Sequence, residues 1–368
     1  MSEGKIVLRP IALLRSVLNS RVSVHATTIP SFPEVAMPVA EKGSRSVFRA
    51  ALLMILAAML TVTLQQWTGS LSIYSDALAE KRLTLHSAIL DNLRPPEGWH
   101  EFGANRTNVR IFSVYLAEGF HRATGVSILM TYKLIETTAL FGVFLALFAY
   151  VRAWTPPSLA LVGLLYFAVV TTLTYHFQFF HPWDRPSLLC WIIGAMFIRD
   201  NRFVPLMFLL PIAVTVKWDI IALPSLYWLT HVSRDAFKVV TLRTLALGGI
   251  AIVTLLVLAK TFPGGADRLA EESLWHITRW QVSDNWQQFL DLHIGYPPLL
   301  AFGLPLVFAS YGFRLVGRFL RASCLFGVAL FIPLVLNSYF VETRAQMMIL
   351  VLLLPTALVG LSQVLEPN

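Results

Sequence analysis

The sequence predicts an all-α polytopic membrane protein, and three observations carry that prediction. The 368 residues are 56% hydrophobic and only 14% charged, with mean hydropathy +0.65. That balance is far from a soluble domain built around one core. Apolar runs near the ~20 residues needed to cross hydrocarbon recur along the chain. Finally, Lys and Arg concentrate in the loops on one side of those runs, the positive-inside pattern.

Residues 1–47 read as a basic cytoplasmic tail, with an amphipathic stretch at 6–18 and prolines at Pro30, Pro33 and Pro38. No cleavable signal peptide stands in the usual place, and Met37 is an alternative start. Residues 48–362 read as a single transmembrane domain of about ten helices. The spans fall at 48–66, 133–151, 157–175, 186–198, 203–216, 220–231, 244–261, 297–311, 322–337 and 345–362. The stretch 203–231 could be one helix or two. As one it is about 42 Å long, too long for the core; as two, each half is too short to cross fully. Loop charge favours two. Arg152, Arg199, Arg202, Arg234, Lys238, Arg243, Arg314, Arg318 and Arg321 then share a side with the tail, and both termini are cytoplasmic.

Two outer segments are longer than turns. Segment 67–132 predicts surface helices at about 72–93 and 107–124, separated by RPPEGWHEFGAN. Segment 262–296 holds Trp275, Trp280, Trp286 and Phe289, suited to a membrane–water boundary. The +8 charge is spread over short loops, which argues against a nucleic-acid partner. Cys190 and Cys324 lie in apolar runs and predict no disulfide. The chain lacks a phosphate-binding glycine loop, a dinucleotide-binding glycine pattern, a zinc-ligand motif and a nucleophile elbow.

The residues that could carry chemistry fall at the outer ends of the spans, where ionisable groups are costly and usually have work to do. Asp76, in SIYSDALAEKR, could take a proton from an acceptor hydroxyl; it could equally be a charge or cap at a helix start. Asp91 reads more simply as a helix-end or turn residue. His181, Asp184 and Arg185 sit in HPWDRPSLL, between the third and fourth spans, where Pro182 and Pro186 hold the chain out of helix before the fourth span. There Asp184 could also be a helix cap and Arg185 a snorkelling cation. Lys217 and Asp219 break an apolar stretch in VTVKWDIIALP. They predict either a structural ion pair or a cation for phosphate. Glu342 and Arg344 precede the last span, as an interfacial pair or as an anion-binding arginine.

Taken together, these segments resemble the GT-C superfamily of integral-membrane glycosyltransferases over about 48–362. The likeness rests on a first span followed by a long outer loop with an early acid, Asp76, and on Trp183–Leu188 opening the fourth span. It rests also on the polar break Lys217–Asp219, and on Glu342–Arg344 leading into a span that ends in Leu354–Pro355. The resemblance implies a polyprenyl-phosphate sugar donor, a lipid or saccharide acceptor, and inverting transfer at the outer face of a bacterial inner membrane. It implies Asp76 as base and Lys217, Arg344 and Arg185 as phosphate ligands. His181, Asp184, Asp219, Glu342 and Asp91 complete the substrate site. A divalent cation, Mg²⁺ or Mn²⁺, serves several members of the superfamily. Unlike many members, this chain gives Asp76 no acidic neighbour, and residues 48–362 predict no outer soluble domain of the kind that follows the spans in many relatives. Two other readings remain: a flippase for a lipid-linked saccharide, and a non-catalytic subunit of an envelope-assembly complex.

Overall fold

The computed structural model of the chain describes residues within 52–62, 76–91, 110–174, 182–234, 236–261, single helical positions within 283–290, 299–337 and 343–365. The tail 1–47 and most of 262–296, with Trp275, Trp280 and Phe289, lie outside the described residues. Among the described residues the fold is helical throughout, without a strand. Three helices among the described residues are long and apolar enough to cross a membrane: Ile128–Val151, Phe237–Thr261 and Gln346–Leu365.

Segment 67–132 supplies α1 (Asp76–Leu90) and α2 (Ile111–Thr124), close to the surface helices that the sequence predicts. Gly125, at φ 73°, ends α2 in the left-handed conformation and donates its N–H to His121 O. Ser127 then caps α3 (Ile128–Val151), its side chain accepting from Met130 N. Next come α4 (Pro157–Thr174), α5 (Asp184–Arg199) and α6 (Phe203–Val216).

The stretch 203–231 is two pieces. Lys217 leaves the helix at φ −160°, ψ 128°, and a short 3-10 turn, Trp218–Ala222, leads into α7 (Leu223–His231). The Tyr227 hydroxyl donates to Asn201 Oδ1 at 3.3 Å, and the Tyr227 and Phe203 rings lie 6.2 Å apart. The end of α7 therefore lies beside the start of α6, and the chain doubles back at Lys217–Asp219. With 14 residues, α6 is only about 21 Å long, so the tip stops short of a full ~30 Å crossing.

The chain continues through α8 (Phe237–Thr261), a π turn at Leu299–Gly303, α9 (Leu304–Gly312), α10 (Arg318–Asn337) and α11 (Thr343–Leu365). The core holds Phe144, Leu147, Phe167, Trp191, Leu210 and Leu350. Helix α11 runs through its middle, buried almost continuously from Gln346 to Leu358. Helix α8 is the opposite case: Leu242, Leu245, Val253 and Leu256 stay exposed, the pattern of a helix facing lipid. Close approach fixes the crossing of α9 and α11. A Cβ on Gly360 would meet the carbonyl oxygen of Phe308, and one on Gly312 that of Thr356.

One end of the bundle is basic. Arg199 lies over the Trp154 ring at 5.4 Å, and Trp154 stacks on Phe319 at 5.6 Å. Arg243 lies over Phe203 at 5.4 Å. Arg321 donates to the carbonyls of Phe313 and Arg314. The start of α5 and the tip after α6 stand at the other end.

Candidate functional site

The site is built where α5 begins. Trp183 is fully buried and occupies the N-cap position, so Asp184, Arg185 and Pro186 form the first helical turn. This shifts the cap one residue from the Asp184 that the sequence suggested. Proline is tolerated there because the first turn has no carbonyl partner for its missing N–H. Asp184 gains from the positive end of the helix dipole. The turn is held from above by α2: Ser113 Oγ donates to the Pro182 carbonyl at 3.2 Å, and Arg110 lies over the Trp183 ring at 4.9 Å. Ile89, Val114, Trp183 and Val216 make a small apolar cluster beneath the surface helices.

Against this turn stands the hairpin tip. Lys217 Nζ lies 3.4 Å from Asp184 Oδ1 and 3.3 Å from Asp219 Oδ2. One ammonium thus bridges two carboxylates from two elements. Arg185, also buried, points to α3, where its Nη1 lies 3.6 Å from Glu136 Oε2. Asp184, Arg185 and Glu136 are all buried. Charges removed from water persist only when paired or coordinated, so the pairing is a condition of the fold as well as a possible tool.

Of the residues singled out in the sequence, the structure thus brings Asp184, Arg185, Lys217 and Asp219 together. Asp91 occupies an exposed turn after α1 and joins no ion pair among the described residues. Asp76 opens α1, while Ile89, near the other end, packs on Trp183. The helix separates the two by about 20 Å. Arg344 lies in the first turn of α11. The side chains of Asp76 and Arg344 lie outside the described residues, as do His181 and Glu342. Among the described residues, no group of three His, Cys, Asp or Glu is arranged to hold a metal ion.

Glu136 is the partner that sequence reading missed. Its signal was available: an acid two turns inside an apolar span. A second polar chain, also missed, ties the surface helices to α3. His86 Nδ1 lies 2.7 Å from the Tyr132 hydroxyl, and its Nε2 lies 3.2 Å from Glu118 Oε2. Arg122 Nε donates to the other Glu118 oxygen. A carboxylate only accepts, so Nε2 carries the proton and Nδ1 accepts from Tyr132. Burial lowers the pKa of His86 below 6.5, and outweighs the raising effect of Glu118. The imidazole is therefore neutral, and its contact with Glu118 is a hydrogen bond rather than an ion pair. The Arg122 hydrogen bond, then that of His86, holds the Glu118 carboxyl below its ordinary value.

No protein-family model, curated protein or solved structure matches this chain.

Proposed function

We propose that the chain is a membrane glycosyltransferase that moves a sugar from a polyprenyl-phosphate donor to a lipid or saccharide acceptor. The observation that supports this reading most is the acid–cation cluster of buried Asp184, Arg185 and Glu136 with half-buried Lys217 and Asp219 at one end of the bundle, beneath α1 and α2. The opposite, basic end fits the cytoplasmic side by the positive-inside rule, and on this reading the cluster faces outward and both termini lie inside. The reading extends to about ten spans, of which three have the length and apolarity by themselves.

In the proposed reaction a carboxylate removes the acceptor proton and the acceptor oxygen attacks the anomeric carbon. The bond from that carbon to the phosphate oxygen breaks, with inversion, and the lipid phosphate leaves with the electron pair. Cations fixed before the reaction stabilise the charge that develops there. Lys217 pairs with two carboxylates at 3.3–3.4 Å, and its ammonium is the proposed cation for a phosphate oxygen. Arg185, anchored by Glu136, stands behind it, and Arg344 is the third proposed phosphate ligand. Asp76 is the proposed base. Asp91, Asp184 and Asp219 are the alternatives, the last two standing beside the proposed phosphate ligand Lys217.

Turnover in lipid nanodiscs tests this directly. Wild type is compared with Asp76→Asn, Asp184→Asn, Asp219→Asn and Lys217→Gln, using radiolabelled polyprenyl-phosphate sugars and a membrane-lipid extract as acceptor. Transfer by wild type and its loss in one Asn variant identify the base. Absence of transfer with every donor rejects the enzyme. The interrupted hairpin at Lys217 favours a second reading, a flippase for a lipid-linked saccharide, since broken helices line transport sites. Donor translocation in proteoliposomes without transfer selects it.

A further inference from the structure

The surface helices need something to hold them over the site, and the ion pairs beneath do not supply it. Apolar contact there joins Ile89 and Val114 to Trp183 and Val216, with Leu90, Ile111 and Phe112 at its edge, and Ile111 also packs against Val214, Ala251 and Leu258. Ser113 ties α2 to the Pro182 carbonyl, and a second polar link is the buried His86. It joins all three elements concerned, standing on α1, donating to Glu118 on α2 and accepting from Tyr132 on α3. The imidazole and phenol rings meet edge-on, with centroids 5.7 Å apart. Both side chains are almost fully shielded from solvent.

We propose that His86 is a positioning residue that docks α1 and α2 over the acid–cation cluster, and that its protonation releases them. The functional consequence rests on the site proposed above; the docking does not.

The groups facing His86 set the direction. On α2 these are Glu118, His121 and Arg122; on α3 the facing group is Tyr132, followed in sequence by Lys133. Glu118 favours the imidazolium, but Arg122 already engages that carboxylate. His121 Nδ1 donates to the Val126 carbonyl at 2.7 Å and closes the α2–α3 turn instead. A proton on Nδ1 would end its role as acceptor from Tyr132. With the docked-state pKa lowered, chiefly by burial, the undocked form binds more protons, so acid favours release. The loss begins as pH falls through 6.5 and is complete below the docked-state pKa. The docking constant falls by up to about tenfold for each pKa unit of lowering.

Hydrogen exchange of the full chain in nanodiscs, corrected for intrinsic rates, reads the docking without any substrate. Between about pH 7.5 and about pH 5, amides of Asp76–Leu90 and Ile111–Thr124 should lose protection while those of α11 keep it. Glutamine offers an acceptor and a donor and does not titrate, so His86→Gln should restore docking and abolish the response. Because that variant retains His121, it isolates His86. Should His86→Gln fail to dock, Tyr132→Phe decides: it removes a donor that favours the neutral imidazole, so the response should weaken while burial sustains part of it. A wild type without a pH response overturns the proposal, as does a response that persists in His86→Gln or is unchanged in Tyr132→Phe. Donor turnover is measured in parallel. A pH-dependent release in a protein with no turnover keeps the docking and rejects the enzyme; pH-independent docking with turnover does the reverse.

Discussion

At the scale of single residues, the site is a problem of buried charge. Lys217 is mostly buried between Asp184 and Asp219, so Lys217→Ala leaves two carboxylates facing each other without their shared cation. Breaking a buried pair from one side costs about 3–5 kcal/mol. The expected result is a marked loss of thermal stability in detergent, partly recovered when Asp184→Asn and Asp219→Asn are added. Full stability in the single variant would show that the cluster is solvated. Glu136 and Arg185 should behave as a coupled unit. A double-mutant cycle of Glu136→Gln and Arg185→Gln should give a coupling of about 0.5–3 kcal/mol in unfolding free energy, and additivity would dissolve the pair. Asp200, just beyond α5, is held below the usual carboxylate range mainly by the hydrogen bond from Arg199. Its folded pKa is depressed, so its contribution is complete above 3.8 and is lost as pH falls through the folded value. Asp200→Asn should therefore shrink the acid-induced loss of stability in a pH series of melting temperatures.

At the scale of elements, two features decide the geometry. The first is the hairpin of α6 and α7. Helix propensity alone does not stop α6 at Val216. The stop comes from Lys217, whose extended backbone turns the chain while its ammonium finds Asp184. The second is the crossing of α9 and α11, where Gly312 and Gly360 let two backbones approach more closely than any side chain permits. Gly360→Ala places a methyl against the Phe308 carbonyl, which belongs to backbone and cannot rotate away. Overpacking of this kind costs about 1–3 kcal/mol or more. The variant should melt well below wild type, whereas Gly248→Ala, on α8 with open space around it, should not. Equal melting of the two would mean that the helices slide apart freely.

At the scale of the molecule, the bundle has a basic end and an acid–cation end, and the membrane reading makes them opposite faces. Single cysteines test this, since Cys324 is buried and Cys190 partly so. Asp91→Cys and Lys238→Cys, each in a chain whose native cysteines are replaced by serine, should label with a membrane-impermeant maleimide from opposite sides of sealed vesicles. Labelling of both from one side would invert half of the topology and move the cluster away from the outer face.

Much of this was legible in the sequence. Apolar runs are long-range averages over many residues, so the helices emerge close to where composition puts them. Asp184, Arg185, Lys217 and Asp219 announced themselves because a charge inside an apolar stretch is costly and therefore conspicuous. The return of the chain at Lys217 could be argued from loop charge, since one helix or two changes the side on which every later loop falls. Partnership was not legible. Nothing local says that Lys217 serves two carboxylates, that Arg185 turns to Glu136, or that His86 meets Tyr132 and Glu118. These pairs are separated by 32 to 49 residues, or by the break between two elements. Their distances depend on how helices cross, which side-chain volumes and close glycine contacts decide. The sequence by itself determined which groups had to be stabilised, because the cost of burying a charge is a property of the residue. Only the tertiary structure decided what stabilises each of them, because a partner is a property of position.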